Sequence, residues 1–478
     1  MVLSEFVNFA KNSNKEPYST MGIFSFLFGG GKYPTTSKYE AKLEQEKADF
    51  ARFKNIASST ELKRLEELKK LTASTDFKSR VDHLKNDRFN QTEEYRKEQE
   101  LKALAKSSDI KGYLKFVAAG NDKKATAALD SASYKEYASI QASTDPKAAA
   151  RVKELKRDAN VKLAIKMLAS SAYANFKKTA NSDRLKKYEA LKEYVKTDAF
   201  LAKKKDLENK NRFKESNEYK QLQEFEQLSK NKDLKWYASN LAAKTFANAD
   251  KWQLTFADDF KGNHLDAQKW LTGYYWGKKT AGMTYSLADE RQAFNDQNAV
   301  VNNGLDIQTR AGKTQGNVWD PLAGGFVKKE LEATAAIVTT GDSFRQKFGK
   351  FDFKVKVSGV KAPVTENIWL SSERNSEVNV ATFGKGKTDI RMGTTANGQA
   401  KLGQVNDVKY ASDHFIYSLE WTANKLIWSI NGVEVYSTTS NVPQEPMYIG
   451  LSSNIVGEGD IANADMDVEW VKVYAQKQ

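Results

Sequence analysis

The chain has 478 residues, room for two or three domains at roughly 100–200 residues each. Hydrophobic residues make up 40% and charged residues 28%, the balance of a soluble, charge-rich protein and not of a membrane one. There is no cysteine, which excludes disulfides and thiolate catalysis.

Lys and Arg number 75 against 61 Asp and Glu, a formal net charge of +14, with most of the surplus in the first half. Such a surface attracts nucleic acid, anionic lipid or acidic glycans, or is a solvated helix face. The three histidines, His83, His264 and His414, are far apart and show no metal-ligand spacing, which argues against a histidine-based zinc site.

In chain order, residues 1–36 are a polar tail with one short apolar run, Ile23 to Phe28. The run is too short for a secretory core or a membrane span. It suits a docking peptide or a weak interfacial anchor, with Met21 as an alternative start. No conventional export signal is present, so a cytoplasmic location or a place in a virion or other large assembly is expected.

Residues 37–248 are rich in Lys, Glu, Ala and Leu, with Pro146 the only proline. Leu62, Leu65, Leu68 and Leu71 recur at helical spacing. The region repeats itself: residues 61–113 resemble 183–237. Leu62 matches Leu185, Leu68 matches Leu191 and Phe77 matches Phe200. After a one-residue slip, Phe89 matches Phe213, Tyr95 matches Tyr219, Leu104 matches Leu228 and Tyr113 matches Tyr237. Short Ser/Thr/Asp breaks such as STDF and KTDAF supply helix N-caps. The expectation is a helical repeat array or antiparallel bundle that spaces or docks, with protein partners.

From about residue 249 the character changes to short alternating strands and turn signals. Phe351, Phe353, Val355 and Val357 alternate onto one face, and Asn431-Gly432 sits between two strand runs as a hairpin signal. An all-β sandwich over residues 249–478 is predicted. Within it, NSEVNVATFG (375–384) alternates so that Glu377, Asn379 and Ala381 share one face, and Val378 and Val380 the other.

The ordered series WQLTFADDF, NAVVNNGLDIQTR, FGKFDFKVKV, NIWLSS, SEVNVATF, LIWSINGVEVY and MDVEWVKVYA resembles the family 16 glycoside hydrolases over 249–476. The resemblance implies a concanavalin A-like jelly roll whose concave sheet holds a polysaccharide. It makes Trp369 a candidate stacking platform, with Trp276 and Tyr275 as further candidates on a loop. Trp421, Trp428 and Trp470 are expected in the core. The family places its nucleophile, a central Asp and the acid/base residue on one strand, as E-x-D-x-E or, with a bulge, E-x-D-x-x-E. Glu377 matches the nucleophile, Asn379 replaces the central Asp, and the acid/base position falls on Ala381 or Thr382. Glu366, Glu373 and Asp389 are nearby carboxylates and candidate substitutes. No cofactor is required, and the family's calcium site suggests Asp467 and Asp259.

Three functions follow. The first is a non-catalytic glycoside hydrolase-like sandwich on a helical arm, binding glycan or protein or building a larger assembly. The second is a retaining β-glucan or galactan endo-hydrolase using Glu377. The third, resting on net charge alone, is a nucleic-acid-binding scaffold.

Overall fold

A computed structural model describes residues 32–372, 376–384, 388–396 and 399–477. The apolar run Ile23 to Phe28, Met21 and Glu373 lie outside the described residues. The chain divides into two compact units, 59–234, and 1–58 together with 235–478. Among the described residues no helix is long and apolar enough to cross a membrane.

The unit 59–234 is built from short helices, many of which abut directly. At several joints one side chain serves both helix ends. The Ser74 hydroxyl donates to the carbonyl of Leu71 (2.7 Å), closing one helix, and accepts from the amide of Phe77 (3.2 Å), opening the next. Thr92, Ser131, Ser170, Ser182, Thr197 and Ser216 do the same. Such a cap is worth roughly 1 kcal/mol. The residue three after the cap turns inward: Phe77, Tyr173, Leu185 and Phe200 are buried. Helices going out pair with helices coming back. Thr60–Ala73 lies beside Asn217–Lys230, Glu93–Lys106 beside Asp183–Tyr194, Ser108–Ala118 beside Ser171–Ala180, and Ala132–Ile140 beside Pro146–Leu155.

The two sequence copies meet each other in this pairing, and equivalent positions make equivalent contacts. Arg64 pairs with Glu224 (2.8 Å), and their counterparts Lys187 and Glu100 also pair. Arg80 pairs with Glu218 (2.9 Å), and their counterparts Lys203 and Glu94 pair at 2.6 Å. The copies are therefore related by an approximate two-fold. Exposed pairs of this kind are screened by solvent, so they fix register more than stability.

The other unit carries the sandwich. Its strands are β1 (Trp252–Asp258), β2 (Leu271–Thr272), β3 (Gln292–Phe294), β4 (Ala299–Val301), β5 (Leu305–Asp320), β6 (Gly325–Ala335), β7 (Ile337–Thr339), β8 (Gly349–Ser358) and β9 (Val364–Ser371). They continue as β10 (Glu377–Phe383), β11 (Ile390–Ala396), β12 (Gln399–Val405), β13 (Phe415–Trp421), β14 (Leu426–Ile430), β15 (Val433–Thr438), β16 (Tyr448–Ile455) and β17 (Ala464–Gln476). One sheet runs β15-β14-β13-β8-β17-β5-β6-β3, with β1 on β17 and β4 on β5. The other runs β12-β11-β10-β9-β16-β7-β2.

The core lies between the sheets. Phe351, Phe353, Val355 and Val357 are fully buried there, as their alternation predicts. Asn431 and Gly432 turn the β14–β15 hairpin, both with positive φ (47° and 77°), as a type I′ turn requires. Trp421 and Trp428 are core residues. Trp470 is not: the register shifts between Val468 and Trp470, which turns the indole outward under Lys472 (4.2 Å).

The helix Thr36–Ala57 belongs to this unit. Its first turn is tied to the β14–β15 turn, where the Asn431 amide donates to Thr36 Oγ1 (3.0 Å) and to the carbonyl of Pro34 just ahead of the helix (2.8 Å). Lys354 then bridges Glu40 and Glu469, 2.9 Å from each. The helical region of the linear reading, 37–248, is thus shared between two compact units.

Candidate active site

The motif strand β10 sits inside the seven-stranded sheet, between β9 and β11. Pairing with β9 is regular from Glu377 to Asn379, opposite Ser371 and Trp369, and then shifts by one residue before Ala381. This is a β-bulge. It decides between the two alternatives for the acid/base position. Ala381, expected to share a face with Glu377, is wholly buried in the core beside Val380. Thr382 returns to the outer face with Glu377 and Asn379. The strand therefore has the bulged spacing, with Asn379 and Thr382 following Glu377 on the outer face.

Those two side chains are engaged with their neighbours. The Thr382 hydroxyl is 2.9 Å from Asn367 Oδ1, to which it donates, and 3.2 Å from Asn379 Oδ1. The Asn379 amide points to the carbonyl of Arg391 (3.4 Å). Asn367 Nδ2 in turn donates to Asn454 Oδ1 (3.2 Å). Glu377 reaches solvent, yet the atoms packed around it desolvate its carboxyl and raise its pKa.

Trp369 lies across the sheet over Gly450, where any Cβ would strike the indole at 2.2 Å. Its Nε1 donates to Ser452 Oγ (3.1 Å), and its edge meets Tyr448 (5.9 Å, 72°). The ring is half-buried against a cluster formed by Tyr274, Tyr285, Phe294, Ala335 and Ile337. Tyr275 and Trp276 are on a short helix, Tyr275–Ala281, and not on a loop. Tyr275 is buried beneath Arg345 (5.0 Å), which removes it as a platform, whereas Trp276 stays 40% exposed.

Of the substitute carboxylates, Glu366 and Asp389 are described, and neither is hydrogen-bonded to the motif. Glu366 points into the core. Its Oε1 accepts from Ser453 (2.8 Å) and its Oε2 has no hydrogen-bond partner. Burial pushes its pKa well above the carboxylate range. Asp389, ahead of β11, accepts from Gln404 (3.4 Å). Folding with Glu366 protonated favours stability below the ordinary Glu pKa, and that advantage is lost as pH rises through the elevated folded pKa. Glu366→Gln, which mimics the protonated form, is expected to flatten the fall of Tm from acid to alkaline pH. Parallel melts across that range check it.

One carboxylate escaped the sequence reading. Glu290 accepts from the Tyr274 hydroxyl (2.6 Å), the Leu287 amide (2.7 Å) and Asn454 Nδ2 (3.2 Å), and desolvation raises its pKa. Through Asn454 and Asn367 it is hydrogen-bonded to Thr382. It is no partner for Glu377, however. Glu377 is level with Ser371 and Tyr448, six residues from Asn454 along β16, which is about 20 Å at the usual strand rise. A retaining pair needs roughly 5–5.5 Å.

Residues 286–472 match the family model of the glycosyl hydrolases family 16. The match covers the strands from β3 into β17, and so includes the motif strand and Glu290. Among curated relatives, the glucan endo-1,3-beta-glucosidase A1 of Niallia circulans is 23% identical over 270 residues, 47% of this chain and 38% of its own. A beta-glucanase of Brevibacillus brevis is 27% identical over 113 residues, 22% of this chain and 44% of its own. The chain thus spans less than half the length of these two relatives. The catalytic domain of an endo-1,3-beta-glucanase (laminarinase) of Thermotoga petrophila aligns with 48% of this chain and 100% of its own, at 18% identity and a TM-score of 0.39. The endo-beta-1,3-glucanase of Pyrococcus furiosus gives 48%, 95%, 16% and 0.40.

The family 16 resemblance suggests a calcium site at Asp467 and Asp259, and these residues do not fit one. Asp467 is paired with His414 (3.0 Å) and Asp259 with Lys261 (2.8 Å). Among the described residues no three acidic, His or Cys side chains converge on a metal position.

Proposed function

We propose that the family 16 domain of this chain binds a β-linked glycan on the outer face of its seven-stranded sheet and does not cleave it. The observation that carries this is the bulge, which brings Thr382 to the outer face, where the family pattern expects its acid/base residue, with its hydroxyl donated to Asn367. An alcohol cannot protonate a departing glycosidic oxygen near neutral pH, and loss of a general acid costs about 10²–10⁴-fold. Asn379 adds no charge beside Glu377. The half-buried Trp369 and the amides of Asn367 and Asn454 remain to meet a sugar's apolar face and its hydroxyls. The β-glucanase names of the curated relatives support a β-glucan as ligand. In this reading the helical unit spaces or docks the domain within a larger assembly.

The full chain should be retarded in gels containing laminarin or lichenan while releasing no reducing sugar from either, or from agarose or carrageenan. Sugar release that disappears in Glu377→Gln would overturn the proposal and restore the hydrolase reading.

A further inference from the structure

Three of the most exposed aromatic rings of the sandwich belong to one connected row. Trp276 stacks on Tyr274 (4.6 Å between centroids, 18°), Tyr274 meets Tyr285 (5.8 Å), Tyr285 meets Phe326 (4.8 Å), and Phe326 meets Trp319 (5.1 Å). Trp276, Phe326 and Trp319 are 40%, 37% and 38% exposed, while Tyr274 and Tyr285 beneath them are buried. Trp319 and Phe326 are directly paired across the β5–β6 hairpin, so their rings share one face. On the opposite face Val318 is buried with Ala293 and Leu331, which holds the hairpin in place.

The row is continuous with the sheet face described above. Tyr274 donates to Glu290, and Glu290 accepts from Asn454, which is on the same outer face as Asn367 and Trp369. Trp276 is also fixed in orientation, because its indole N–H bonds the Tyr285 oxygen. Rings stiffened this way lose little entropy on binding.

We infer that this row is a second stretch of the glycan site, a track that carries an uncharged polysaccharide beyond the sheet along the β5–β6 hairpin. The inference rests on the glycan-binding reading and extends it. Its chemistry is that of a pyranose chain. Flat C–H faces lie on Trp276, Phe326 and Trp319, and ring hydroxyls reach the remaining acceptor capacity of Glu290. The rings carry no charge of their own, which suits an uncharged chain, and Asp320 on the other face of the hairpin is paired with Lys329 (3.5 Å). A protein partner would use the same exposed rings but would have no need of continuity with Glu290 and Asn454.

The test is calorimetry on the full chain with short and long oligosaccharides of the laminarin and lichenan series. Long chains should bind more tightly than short ones. The double variant Trp319→Ala/Phe326→Ala should lose roughly tenfold in affinity for long chains alone, about 1.4 kcal/mol. Trp319→Ser is the milder second variant, and an unchanged melting curve certifies either fold. Equal affinity for all lengths, unchanged in both variants, overturns the track, leaves the sheet site standing and assigns the rings to protein contact. Failure of every length to bind overturns the sheet site as well.

Discussion

Thr382→Glu combined with Asn379→Asp is expected to create glucan hydrolysis where the parent shows none. The bulge already directs position 382 to the outer face, and Glu377 already sits four register steps away along the same strand. A carboxylic acid at 382 supplies the proton that Thr382 cannot, a gain of about 10²–10⁴ from that step. An aspartate at 379, between the two, restores the charge coupling that keeps one carboxyl protonated and the other ionised. The change also breaks the Thr382–Asn367 hydrogen bond, so Asn367 must turn to the new carboxyl or to solvent. The readout is reducing-sugar release from laminarin and lichenan, with Glu377→Gln in the double-variant background as control. Activity that survives the control does not come from this strand. No activity at all, in a variant that still binds glucan, would mean that more than the motif has been lost.

The largest stability effect is expected at Trp428. The side chain is 1% exposed in the core, and its Nε1 donates to the carbonyl of Asn379 (3.0 Å), the last regular residue before the bulge. Trp428→Ala removes a large buried ring, at about 3–5 kcal/mol, and leaves that carbonyl without its donor. Trp428→Phe keeps most of the volume and isolates the hydrogen bond, at about 1–3 kcal/mol. Denaturant titration distinguishes the two. If Trp428→Phe matches the parent, the indole N–H is not what pins the bulge. If it is destabilised and its glucan binding weakens too, the geometry of the binding strand is being set from beneath.

The parts of the fold that were legible are those where one local pattern decides the outcome. Phe351 to Val357 alternate, and they line one core face. Asn431-Gly432 marks its own turn. Ser74 and Thr197 announce helix starts, and both cap them. The motif strand was legible up to the bulge. Strict alternation put Ala381 with Glu377, and only the partner strand's register shows that the extra residue moves Thr382 there instead. Trp470 was misplaced for the same reason, a register shift on β17. Glu290 was missed because its signal is not local. Tyr274, Leu287 and Asn454 come from three separate segments, and alternation within any one of them says nothing about the others. The aromatic row is divided in the same way between the helix at 275, the segment at 285 and the β5–β6 hairpin.

The out-and-back pairing of the unit 59–234 dictates the order in which it can form. Near its far end Glu136 and Arg151 are 15 residues apart in sequence. The span grows to 66 at Asp109–Asn175, 106 at Glu98–Lys204 and 160 at Arg64–Glu224. Closing the widest loop directly costs about 2 kcal/mol more entropy than closing the narrowest. Each pair already made shortens the loop that the next must close. Loop entropy therefore favours assembly as a zipper from the turn at 141–145 toward residues 59 and 234. The two sequence copies, which carry the strongest mutual resemblance, are the last to meet.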